Sequence, residues 1–126
     1  MTITPLDTCG RVQLTGERHE RVVGSTDPLA RCVMEHYRTW WLNGRGGDRD
    51  PDRWQRQSTI LFDTVSVHLA HTEQWLGMEE LGVRVDDEGY TRLDGAARPI
   101  RCATEWVNLD AFLDRLTQRL TAAPAA

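Results

Sequence analysis

Lysine is absent from this chain: every one of its 15 basic residues is arginine. That bias fits a GC-rich coding sequence and carries no mechanism by itself, although arginine favours bidentate pairing with carboxylates. Cysteine is scarce and scattered, at Cys9, Cys32 and Cys102. The number is odd and no C-x-x-C spacing occurs, which argues against a disulfide framework and against a cysteine zinc site. Free thiols in a reducing cytoplasm are the simplest account. No apolar run reaches the ~20 residues of a membrane-crossing helix. The opening MTITPLDTCG has neither a basic n-region nor an apolar h-region, so no signal peptide is visible. A basic excess is lacking too: the formal net charge is -4 and the pI about 5.5. A nucleic-acid footprint is usually basic. The expectation is a cytoplasmic protein with neither a nucleic-acid nor a membrane partner.

What is present is the composition of an ordinary globular chain. Of 126 residues, 40% are hydrophobic and 27% charged. That length suits one domain, 1–126, which can bury roughly two-thirds of its unfolded surface.

TITPL, residues 2–6, is β-branched and stopped by Pro5, which suits a short strand. LDTCGRVQLTGE then reads as loop, and GERHERVV as a short helix. Asp27 followed by Pro28 is a helix start. Leu29, Val33, Tyr37 and Trp40 recur at helical spacing beyond it, predicting a helix over 27–43 with these residues on its apolar face and Gly44 as its C′ glycine. GRGGDRDPDR opens a flexible loop over about 44–57. Ile60 to Phe62 favour a strand end, and Asp63 and Thr64 can cap a helix over 64–71. MEELGVRV, YTRL and RPIRCAT read as short strands of a β-ribbon, with Gly89 at a turn. Asn108 can cap a last helix whose apolar face is Leu109, Phe112, Leu113, Leu116 and Leu120. The class is α/β, and a sheet of so few strands leaves edges open.

Few residues point to chemistry. His68 and His71 form H-x-x-H, and two imidazoles on one helix face can bind a transition metal. No third ligand has fitting spacing; Glu73 falls past the expected helix end. Two polar residues on a helix surface are the plainer reading. Tyr37, Trp40, Trp41 and Trp54 could stack on a flat ligand. Helical spacing makes Tyr37 and Trp40 core residues instead, whereas Trp54 sits in a polar loop and could line a ligand pocket as a lid. Asp48, Asp50 and Asp52 do not complete a calcium loop, because an EF-hand needs glycine sixth and glutamate twelfth where Arg53 and Thr59 stand. No G-x-S-x-G, P-loop or G-x-G-x-x-G occurs. Asp63 remains: one carboxylate between two apolar runs in STILFDTVSVHLA. On the residues alone it reads best as the N-cap of the helix that follows.

Taken in order, TITPLDTCGRVQLTGE, DPLARCVMEHYRTWW, STILFDTVSVHLA and RVDDEGYTRLDGAARPIRCATEWVNLDAFLDRL resemble the C-terminal part of the inosine/uridine-preferring nucleoside hydrolase family. The resemblance runs over essentially the whole chain. It implies the C-terminal portion of a doubly wound open-sheet fold, with a short β-ribbon and a C-terminal helix, and hence an incomplete domain. It implies a hydrolase that cleaves the N-glycosidic bond of purine or pyrimidine ribonucleosides to ribose and base. It implies Ca²⁺, held by carboxylates, as the cofactor. Asp63 matches the late calcium-ligand aspartate of the family, and Phe62, with Trp54, would shape the substrate pocket. Two departures follow. Phe62 stands where members often have a histidine that assists the leaving base, and phenylalanine transfers no proton. The D-x-D-x-x-x-D-D cluster with the general base belongs to an N-terminal half that this sequence does not include. The expectation is therefore a chain inactive alone, partnered by a missing N-terminal half and prone to self-association. The alternative is a catalytically inactive remnant or an interaction module pairing through its open sheet edge.

Overall fold

The computed structural model describes residues 1–44 and 49–122. In chain order the elements are β1 (Thr2–Ile3), α1 (Leu6–Cys9), α2 (Gly16–Val23), α3 (Pro28–Asn43), α4 (Arg53–Arg56), α5 (Asp63–Leu69), β2 (Leu76–Val85), β3 (Thr91–Leu93), β4 (Pro99–Trp106) and α6 (Leu109–Thr121). They fall into two compact units. Unit 1 comprises Met1–Val12 and Leu61–Leu109; unit 2 comprises Gln13–Ile60 and Asp110–Ala126.

Unit 1 is α/β. Its four strands form one mixed sheet in the order β1-β4-β2-β3. β1 runs parallel to β4, with Thr2 opposite Arg101 and Ile3 opposite Cys102. β2 pairs antiparallel with both β4 and β3, giving the ribbon that the alternation of MEELGVRV and RPIRCAT predicts. Two glycines answer local needs. Gly89 takes φ +88° in the turn after β2, a region open to residues without a Cβ. A Cβ at Gly82 would lie 2.2 Å from the Asp94 carbonyl oxygen, so the chain after β3 folds back where only glycine leaves room.

Between β1 and the rest, the structure differs from the sequence reading. LDTC is not loop but the single helical turn α1, begun by Pro5, whose carbonyl accepts from the N–H of Thr8 at 3.0 Å. The Trp106 indole N–H donates to the Thr8 carbonyl at 2.8 Å and ties this turn to β4. Nor do Ile60 to Phe62 form a strand; α5 starts directly afterwards, at Asp63. Thr8, Cys9, Val12, Val65, Leu76, Cys102 and Ala103 are the buried side chains of this unit.

Unit 2 is helical: α2, α3, α4 and α6 from Asp110 onward. Asp27 caps α3 as expected, its Oδ1 accepting from the N–H groups of Leu29 at 2.8 Å and Ala30 at 3.3 Å. Gly44 is not a left-handed cap; its backbone is extended, with φ -97° and ψ -170°. The buried face of α3 is also turned from the one expected. Ala30, Met34 and Trp41 are buried, whereas Leu29, Val33 and Trp40 are exposed. The physical reason is that apolar side chains cover a broad arc of this helix, and its contacts with α2 and α4 decide which part of that arc is covered. Residues 45–48, with Asp48, lie outside the described residues of the expected loop. The part after them is structured: Arg49 to Asp52 form a turn and α4 follows. α6 keeps its predicted stripe, with Phe112 and Leu113 buried. No helix among the described residues is long and apolar enough to cross a membrane.

Candidate functional site

Asp63 is the first residue of α5, and the buried Val65 anchors that helix. The carboxylate itself is exposed, not enclosed between core segments. Its apolar neighbours are exposed as well: Phe62 by 40% and Val67 by 62%. Nor is Asp63 the helix cap. Phe62 occupies that position with a helical backbone, and no side chain accepts from the first-turn amides. Thr64 does not cap either; its hydroxyl donates to the Leu61 carbonyl at 2.6 Å. Among the described residues no hydrogen bond or ion pair to the Asp63 carboxylate is recorded. What holds it in place is backbone: the N–H of Val65 bonds the Phe62 carbonyl at 3.3 Å, and the N–H of Leu61 bonds the Val12 carbonyl at 2.8 Å.

Phe62 packs toward the end of α1, with its ring edge 3.5 Å from where a Cβ on Gly10 would stand. One turn along from Asp63, Ser66 helps to line a shallow hollow of about 210 Å³ with Thr2, Thr4, Leu69 and Ala70. The end of β1 and the Ser66, Leu69 and Ala70 side of α5 therefore border one small, hydroxyl-bearing depression, and Asp63 is not among its lining residues.

The two histidines have different surroundings. His68 Nε2 lies 2.8 Å from the Gln74 carbonyl oxygen, and its ring stacks on Trp75 at 5.7 Å between centroids. His71 is exposed. Among the described residues no three histidine, cysteine, aspartate or glutamate side chains converge to hold a metal ion. A calcium ion takes six to eight oxygens. One exposed carboxylate does not meet that demand, so these residues do not fit the ion by themselves.

Trp54 lies in α4 of unit 2, whereas Phe62 and Asp63 belong to unit 1. Trp54 is half-buried, with the Arg38 guanidinium 5.8 Å over its ring, and its carbonyl lies 2.8 Å from His19 Nε2. The same segment is fastened to α3 at two more points. The Trp41 indole N–H donates to the Asp50 carbonyl at 2.6 Å, and the Tyr37 hydroxyl donates to the Gln57 carbonyl at 3.0 Å. Burial pushes the Tyr37 phenol above its ordinary pKa. Tyr37 is half-buried, and Trp40, expected in the core, is 59% exposed.

The sequence reading passed over the ion pairs. Arg18 lies between Asp114, at 2.7 Å, and Asp110, at 3.0 Å, and joins α2 to α6. The two acids stand four residues apart on one helix face, which was the available signal. Hydrogen bonding from Arg18 holds the Asp114 carboxyl below its usual range. Arg101 does the same to Glu73 within unit 1, and Arg92, with the Tyr90 amide, to Asp86. These exposed pairs are structural in character and lie on ordinary surface. No known family model matches the chain, and no curated protein matches it significantly.

Proposed function

We propose that this chain is the C-terminal part of a nucleoside hydrolase, and that Asp63 supplies one oxygen ligand to a site completed by residues outside it. The observation that carries the reading is the state of Asp63: exposed, not used as a helix cap and without a recorded partner among the described residues, although held in the ordered first turn of α5. A carboxylate kept in place by backbone and left unused is available to a ligand. Two elements are in keeping with the resemblance, the β-ribbon and the closing helix, whereas PLD lies at the start of α1 and not at a strand end. The substrates would be ribonucleosides, the reaction hydrolysis of the N-glycosidic bond, and the cation Ca²⁺. The general base and the other ligands would come from the joined N-terminal half. The test is complementation. The purified chain is assayed on inosine, uridine and a chromogenic riboside with Ca²⁺, alone and joined to the N-terminal half of a nucleoside hydrolase. The expected result is turnover only in the joined protein, lost on Asp63→Ala. Joined protein that is folded but inactive, or activity indifferent to Asp63→Ala, overturns the reading.

One observation favours a second reading, a catalytically inactive remnant. Phe62 stands next to Asp63 with no proton to give, and no metal-ligand group exists among the described residues. The same assay separates the two, because a remnant stays inactive after joining.

A further inference from the structure

We draw no further inference here: the strongest candidate, the outer stripe of α3 formed by Leu29, Val33 and Trp40, is an unpartnered apolar face of a single helix, and nothing in the structure shows what covers it.

Discussion

Asp63→Ala separates a structural aspartate from a functional one, because the two roles differ in stability cost. An N-cap aspartate replaced by alanine costs ~1 kcal/mol and up to about 2. Asp63 is not in that position; Phe62 is. What Asp63 gives α5 is a negative charge near the helix N-terminus, worth about 0.3–1 kcal/mol at an exposed site. Alanine returns up to about 0.7 kcal/mol through its better helix propensity. The net cost should therefore be within about 0.5 kcal/mol of zero. Urea unfolding of the chain measures it as a shift in midpoint at constant slope. In the joined enzyme the same change should lower kcat/KM by at least about 10²-fold, because a lost ligand misplaces the reacting groups. A loss of 2 kcal/mol or more in the isolated chain would refute the argument, since Asp63 would then be holding the fold. So would a joined enzyme that keeps near-normal kcat and calcium dependence.

Four further outcomes are expected. Gly82→Ala should destabilise unit 1 by about 2–4 kcal/mol, because a Cβ 2.2 Å from the Asp94 carbonyl must break the Asp94-to-Gly82 backbone bond and strain the turn; faster hydrogen exchange at the Asp94 amide checks it. Asp27→Ala should cost about 0.5–2 kcal/mol through loss of the α3 cap, and Asp27→Asn clearly less, as read by thermal melting. The carboxyls of Asp86, Asp114 and Glu73 titrate below their ordinary values because of their arginine and amide partners. Their contribution is present above the unfolded pKa of about 4 and is lost as pH falls through the depressed folded values, which carboxyl NMR titration would follow. Calorimetry with Ca²⁺ on the isolated chain should find no binding tighter than about 10⁻⁴–10⁻³ M; a micromolar site abolished by Asp63→Asn would show that the other ligands are present.

Where a single periodicity or a turn residue decides the structure, the sequence was legible. The bounds of α2 follow GERHERVV, Asp27–Pro28 starts α3, and the ribbon follows the alternating strands and Gly89. What escaped was decided by tertiary contact. Leu29, Val33 and Trp40 lie beside Ala30, Met34 and Trp41 on one wide apolar arc of α3, and periodicity alone does not choose the covered half. α1 is a single turn, too short to show a period. For Trp54 the polar sequence neighbours left a lid role open, and the structure adds what the sequence did not show, its carbonyl near His19 and a guanidinium from α3 over its ring. Such partners leave no pattern along the chain. Of the candidate site, the isolation of Asp63 and Phe62 in one segment was legible, whereas the exposure of that segment was not.

That exposure changes the reason for singling Asp63 out. Its flanking apolar residues suggest a carboxylate driven into a core, where an unpaired charge costs several kcal/mol unless neutralised. In the structure only Val65 of α5 is buried, and the helix leaves Phe62, Asp63 and Val67 exposed. Single exposed apolar side chains are ordinary on protein surfaces, so the exposure of Phe62 and Val67 does not by itself mark a site. The hollow beside α5 is lined by Thr2, Thr4, Ser66, Leu69 and Ala70, so a pocket wall made by Phe62 belongs to the proposed joined enzyme. Phe62→Ala supplies the matching test. If Phe62 only shapes and dries the pocket, the joined enzyme should lose substrate affinity with a much smaller fall in kcat than Asp63→Ala produces. Phe62→His should then favour substrates whose base leaves protonated, with a pH dependence near the ordinary imidazole value of about 6.5. An unchanged KM in Phe62→Ala would place the ring outside the pocket and leave Asp63 without its wall.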